Sequence, residues 1–282
     1  MTADASGLEL PCNARELYSR ELHRQRTRAG WSFQQLADKT KFSKPHLHGV
    51  EVGTRTPYPP VSEKLDEVFG TEVLFQGIYA AVRRESALKR FDHCLKLEAK
   101  AVRIQEYSGT VVSGLLQTEA YMRALFCDGN PGAPTGKIDD MVAKRLSRQK
   151  VLHRDPPPDH WFILDEAVLR RPVGGPAIMR DQLGALLPRI YAERSTIQVV
   201  PFEIGTYSLM GAVHILLSAP DGSTTVYNEA AGYGETFSDQ ASVTRRLREY
   251  DRLKACALSP EASVAMIKEA MEKYERCEPF QI

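Results

Sequence analysis

The sequence predicts a multidomain chain: an all-α N-terminal domain, then an α+β domain with a small, mostly antiparallel sheet. Three observations predict it. Residues 13–70 read as short helices separated by loops that carry Gly30, Gly53 and Pro57. After Pro156-Pro157-Pro158 the pattern changes to short apolar runs rich in aromatic and β-branched residues, at 160–164 and 195–202. Helices set apart from those few strands complete an α+β pattern. With 282 residues, 43% hydrophobic and 26% charged, the chain can build two ordinary domains and lacks a disordered composition.

The elements of the first domain follow in order. Residues 1–12 read as a loose tail. Helix one covers 13–29 and ends at Gly30, a natural residue just past a helix terminus. Ser32 caps helix two, and Gln35 three residues on completes a capping box. Leu36 and Ala37 face inward, the small Ala37 allowing two helices to cross closely. Phe42 plugs the turn. Ser43 caps helix three, where Pro45 is tolerated because first-turn N–H groups have no helical partner. Leu47 and Val50 point into the core, which leaves Lys44, His46 and His48 mainly outside. Gly53 ends that helix, 54–57 form a loop, and a fourth helix follows over 61–69. This first domain spans 13–77. A charge-rich helical stretch over 78–105 joins it to the second, 106–282.

The whole chain is nearly neutral, at +1, but its charge is unevenly placed. Residues 13–58 hold nine Lys/Arg (Arg15, Arg20, Arg24, Arg26, Arg28, Lys39, Lys41, Lys44, Arg55) against four acids and add three histidines. A basic patch within a neutral protein is the electrostatic footprint of a DNA-binding module joined to something else.

The run from Gly30 through Leu36-Ala37 to Thr40, then Phe42-Ser43-Lys44, Leu47, Val50-Glu51-x-Gly53 and Pro57, resembles phage-repressor-like (XRE-type) helix-turn-helix domains. The resemblance implies that residues 43–51 are a recognition helix lying in the major groove of double-stranded DNA. Ser32, Gln34 and Ser43 would then meet phosphates at two helix N-termini, with Thr54 beside them. Readout would fall to Lys44, His46 and His48, with Arg55 on the backbone or in the minor groove. Phe33 stands where the family usually has Gln. Lys41 takes a left-handed turn position that usually holds Gly, at about 1 kcal/mol. Pro45 and Gly49 replace base-reading side chains, so specificity would need a homodimer on two half-sites.

In the second domain, 104–107 reads as extended chain, followed by a Gly turn and a short helix. A helix over 138–153 runs up to the prolines. Strands at 160–164 and 195–202 flank a helix over 176–194 whose Ile178, Met179, Leu183, Leu186, Leu187 and Ile190 form one stripe. Residues 213–219 and 223–230 form a hairpin around Asp221-Gly222. Two helices close the chain, one after Ser238 and one opened by Ser259-Pro260-Glu261.

Four strings in this region are singled out: 104–107 with 112–121, Arg145-x-x-Arg148-Gln149, 164–175 and 198–202. Together they resemble the large domain of actinobacterial antitoxin-like (WhiJ-like) regulators. That resemblance implies a transcription regulator, repressor or antitoxin-like, with a small protein partner encoded nearby. Gln117, Glu119, Tyr121, Asp165, Glu166, Arg170 and Arg171 are the candidate partner- or ligand-binding residues. Asp165-Glu166 could instead be an acid/base pair of a hydrolase-like domain, or with Arg170-Arg171 a structural salt-bridge cluster.

The remaining composition points away from other classes. The five cysteines, Cys12, Cys94, Cys127, Cys256 and Cys277, lack disulfide-framework or metal-ligand spacing. No cofactor motif is present, no run approaches the ~20 apolar residues of a membrane span, and the N-terminal residues lack a signal peptide's apolar stretch. The expectation is a cytoplasmic, non-catalytic regulator.

Overall fold

The computed structural model describes residues 11, 13–230 and 233–277. The tail expected over 1–12, with Cys12, lies outside the described residues except for Pro11. The chain forms two compact units that divide between Lys89 and Arg90.

The N-terminal unit contains α1 (Ala14–Arg28), α2 (Phe33–Thr40), α3 (Lys44–Glu51), α4 (Pro59–Phe69) and the first part of α5 (Leu74–Glu98). Local chemistry sets most of these ends. The Asn13 side chain accepts from the Glu16 N–H at 3.0 Å and caps α1. Ser32 and Gln35 make both bonds of the capping box, at 3.2 and 2.8 Å. Lys41 does take the left-handed conformation, at φ 63°. Buried Asp66 accepts from Thr71 Oγ1 at 2.6 Å and from the Phe75 N–H at 2.9 Å, fixing the entry into α5. The core is one cluster: Tyr18 and Leu22 of α1, Leu36 and Ala37 of α2, Leu47 and Val50 of α3, Val61 and Leu65 of α4, and Phe75, Ile78 and Val82 of α5.

The expected joining stretch 78–105 is corrected by the structure. Its helix starts earlier, at Leu74, and stops at Glu98, and Arg103–Ser108 is a strand, β1. Five of the six β1 residues are buried in succession, as in a central strand covered on both faces.

The C-terminal unit continues with α6 (Glu119–Gly129), α7 (Thr135–Gln149), β2 (Asp159–Asp165), α8 (Glu166–Arg170), α9 (Pro176–Ile190), β3 (Ser195–Val200), β4 (Val213–Ser218), β5 (Thr224–Ala230), β6 (Tyr233–Phe237), α10 (Gln240–Cys256) and α11 (Pro260–Arg276). The α+β class holds, but the sheet is larger and more mixed than expected. It has six strands in the order β3-β2-β1-β4-β5-β6. The β1/β2 and β2/β3 pairs are parallel, and the β1/β4, β4/β5 and β5/β6 pairs are antiparallel. The reason lies in the connections. Helical crossovers separate β1 from β2 and β2 from β3, and such lengths permit parallel pairing where a hairpin turn cannot. The hairpin read around Asp221-Gly222 is β4 and β5, with Gly222 at φ 83°. β6 had not been expected.

Strand alternation sorts the core onto two faces. Ile104, Phe162, Leu164, Ile197, Val199, Ile215 and Leu217 pack with Met179, Leu183 and Leu186 of α9 and Val264 and Ile267 of α11. Tyr107, Ile163, Val200, Leu216 and Val226 pack with Val243, Tyr250 and Leu253 of α10. No helix among the described residues is long and apolar enough to cross a membrane.

Candidate nucleic-acid interface

The core positions of α3 fix which of its sides stays outside. Leu47 and Val50 are buried, and Gly49 is buried beside them. Ser43, Lys44 and His48 are exposed, as are Ser32 and Gln34 on α2 and Thr54 and Arg55 in the loop after α3. One buried carboxylate anchors the helix. Glu51 accepts from Arg26 Nε at 2.8 Å and Nη2 at 2.6 Å, and lies 2.8 Å from His23 Nδ1. Burial would push the Glu51 carboxyl up, but its hydrogen bonds with Arg26 and His23 outweigh that and hold it below its ordinary value. Arg26 also donates to the Trp31 carbonyl at 2.9 Å, so a single guanidinium ties α3, α1 and the entry to α2 together.

Phe33 has a role here. Its ring lies under the Arg26 guanidinium, 4.2 Å from the centroid, and edge-on to the His48 ring at 5.1 Å. The residue that displaces the usual glutamine thus seats the exposed histidine of α3. Arg55 is held in a related way. Its N–H donates to the Gly49 carbonyl at 2.9 Å, and Thr54 Oγ1 donates to the same carbonyl at 3.2 Å. A Cβ on Gly49 would stand 2.8 Å from Arg55 Cγ. Gly49 therefore gives up a side chain of its own so that the Arg55 stem can lie along α3.

Two expectations for α3 are corrected. His46 does not stand free on the outer side. Its ring is half-buried, 5.0 Å from Tyr58 and 6.4 Å from Phe42 between centroids, and its Nε2 is shielded with no partner. Burial first, then the Arg55 charge, hold the imidazole below its usual pKa, so it is neutral at pH 7. Ser43 occupies the cap position, but its side chain makes no cap hydrogen bond, which leaves the hydroxyl for an outside partner.

The charge patch is also narrower than a count suggests. Arg20 pairs with Glu16, Arg24 with Glu21 and Arg26 with Glu51. Among the described residues, Arg28, Lys39, Lys41, Lys44 and Arg55 are exposed without an ion pair. Gln34 donates to Asp38 at 3.0 Å.

In the C-terminal unit the candidate residues separate differently. Gln117 and Tyr121 are buried and bonded within the fold. Gln117 Nε2 donates to the Val112 carbonyl at 2.6 Å, its Oε1 accepts from Arg145 at 2.7 Å, and Tyr121 Oη accepts from the Val112 N–H at 3.2 Å. Asp165 caps α8 through the Ala167 N–H at 2.7 Å and accepts from the Tyr207 hydroxyl, which itself contacts the Tyr107 hydroxyl at 2.6 Å. Glu166 accepts from Arg170 Nε at 2.6 Å and from the Phe202 N–H at 2.7 Å. As a partner surface, Gln117, Tyr121, Asp165 and Glu166 are therefore corrected, because every one is interior and engaged. Glu119 and Arg171 are exposed, and Arg170 is half-exposed over the Phe202 ring.

Sequence reasoning missed the main interior pair of this unit. Arg148 donates from Nε and Nη2 to both oxygens of Glu98, at 2.7 and 2.8 Å, and Glu98 is only 1% exposed. Gly114 lies against this arginine, since a Cβ there would stand 3.1 Å from Arg148 Nη1. Arg148 sat in one of the strings singled out, but nothing local pointed to its partner fifty residues earlier.

Comparison with known families gives two matches. Residues 17–73 match a family model described as a helix-turn-helix domain. Residues 91–269, more than half of the chain, match one described as a domain of unknown function (DUF5753). No curated protein and no solved structure matches the chain.

Proposed function

Because the chain belongs to the DUF5753 family and carries a helix-turn-helix DNA-binding domain ahead of that region, we propose that it is a transcription regulator of the XRE type. On this reading it is a repressor or antitoxin-like protein that binds a palindromic operator as a homodimer. One observation carries the reading. The outward side of α3, with Lys44, His48 and the free Ser43 hydroxyl, stands exposed beside Arg55, while Leu47 and Val50 hold the helix to the core and the Glu51–Arg26 pair fixes its C-terminal end. A helix held from behind with donors in front is what major-groove docking requires.

Lys44 donates to guanine edges, His48 reads a base or a phosphate, and Arg55 with Ser32, Gln34, Ser43 and Thr54 positions the backbone. Two such helices on a dimer would address half-sites about 34 Å apart. The C-terminal unit takes the regulatory part, as in WhiJ-like regulators, receiving a small protein that discriminates DNA-competent from incompetent states. Catalysis is not its role on this reading. The Asp165 and Glu166 carboxylates are engaged by Ala167, Tyr207, Arg170 and Phe202, which supports a structural duty for them.

The test is fluorescence anisotropy of the full chain with duplex from its own promoter region, run over a salt series. The expected result is affinity that falls steeply with salt, and tighter binding to promoter than to random duplex. A salt slope near zero, or equal affinity for both duplexes, overturns the proposal.

A further inference from the structure

The outer side of α10 carries a charge pattern that the fold does not use. Val243, Tyr250 and Leu253 face the sheet, and Arg246 turns inward over the Phe237 ring at 3.3 Å. Arg245, Arg248 and Arg252 lie on the other side, all exposed. Their spacing of three and four places them on one helical stripe about 10 Å long. Among the described residues none of the three has an ion pair or hydrogen bond, although Glu249 belongs to the same side. By contrast, Lys254 on this helix is paired with Asp251 at 3.1 Å. The three arginines share one open face of α10 with Gln240, Ala241, Thr244 and Glu249.

Leaving three guanidinium groups in a row with one acid, Glu249, among them and no ion pair formed raises self-repulsion and returns nothing to the fold. Arginine is also the residue suited to forked recognition of carboxylates or phosphates. We propose that this stripe of α10 is a docking surface for an acidic helical segment of a partner protein. The carboxylates of that segment, spaced three and four residues apart, would meet Arg245, Arg248 and Arg252. This rests on the reading of the C-terminal unit as partner-binding and gives that partner a chemistry. Two features favour a protein over a nucleic-acid backbone. Glu249 sits amid the arginines, where a continuous line of phosphates would be repelled and a partner helix can set a lysine. The face also includes Ala241 and the arginine stems, so it offers apolar contact.

The test uses the full-length protein and two fluorescent probes, a synthetic amphipathic peptide with Glu at i, i+4 and i+7, and a random-sequence DNA duplex. Wild type is compared with a triple variant, Arg245→Ala, Arg248→Ala and Arg252→Ala. A control variant, Lys100→Ala, Lys144→Ala and Lys268→Ala, removes the same charge from exposed lysines elsewhere in this unit. Unfolding midpoints check that both variants fold. The expected result is a loss of peptide affinity by roughly tenfold in the arginine variant, with no loss in the control and none for duplex in either. Glu249→Lys should tighten peptide binding. The proposal falls if wild type does not bind the peptide, if both variants lose peptide affinity equally, or if the arginine variant loses duplex affinity as well. That last outcome would make the stripe a nucleic-acid surface. Operator binding by wild type is read separately, so a regulator that binds DNA but ignores the peptide fails here alone.

Discussion

The polar side chains that sequence singles out in the two units serve different ends. Around α3 they are what remains after the fold is complete. Lys44, His48 and Arg55 are exposed, and among the described residues no partner claims their charged or ring nitrogens with a hydrogen bond. In the C-terminal unit, the residues that look equally chemical in sequence build the fold itself. Gln117 bridges Val112 and Arg145, Glu98 grips Arg148, and Asp165 and Glu166 organise α8. A charged string is therefore ambiguous alone. What decides its meaning is whether each donor and acceptor already has a partner inside.

Substitutions can break or sharpen that contrast. The largest effect is expected from Glu98→Ala, which leaves the Arg148 guanidinium buried without its counter-charge. Urea unfolding should show a loss of about 3–5 kcal/mol from the C-terminal transition, with operator affinity unchanged under native conditions. A loss near zero would mean the interior does not depend on this pair. Next comes Glu51→Ala, which frees α3 from Arg26 and should cost about 2–3 kcal/mol in the N-terminal transition and weaken DNA binding along with it.

Glu51 also gives a pH dependence with a definite sign. Its folded pKa lies below the unfolded value of about 4.3, so its contribution is present above that pH and is lost as pH falls through the depressed folded value. Melting of wild type and Glu51→Gln should converge in acid. Divergence there would contradict the assignment.

Smaller effects are expected on the exposed side. Lys44→Ala and Arg55→Ala should each weaken operator binding by about 1 kcal/mol and lower the salt slope by about 1, with unfolding midpoints unchanged. Retained affinity in both would show that the recognition surface lies elsewhere. The smallest effect belongs to His46→Phe, which removes a shielded nitrogen lacking a partner and should alter stability by under about 1 kcal/mol and leave DNA affinity alone. A large loss of affinity would return His46 to the groove.

The N-terminal helices were legible because their signals are local. Gly30, the Ser32/Gln35 pair and Gly53 act within a few residues of the ends they set. His46 was misread for the opposite reason. It stands four residues before buried Val50, on the flank of the core stripe, and Phe42 and Tyr58, the latter from the loop before α4, close over it. In the C-terminal unit the β4–β5 hairpin was legible from Asp221-Gly222, a signal carried by two residues. Parallel pairing has no such mark, since β1 and β2 meet only through a long crossover. β6 is short, at five residues, and has Gly234 second among them, which dilutes alternation. The Glu98–Arg148 pair spans fifty residues and left no pattern to read.

The place of β1 in the sheet has a consequence for how the chain is made. Among the described residues β1 is the earliest strand in sequence, yet it lies between β2, which begins at Asp159, and β4, which begins at Val213. It cannot acquire both neighbours until most of the polypeptide has emerged, and such distant closure is intrinsically slow. The N-terminal core, from Ala14 to Val82, needs only its own residues. Synthesis thus delivers a finished reading head first, while the part proposed to govern it is still waiting for its centre strand to be flanked.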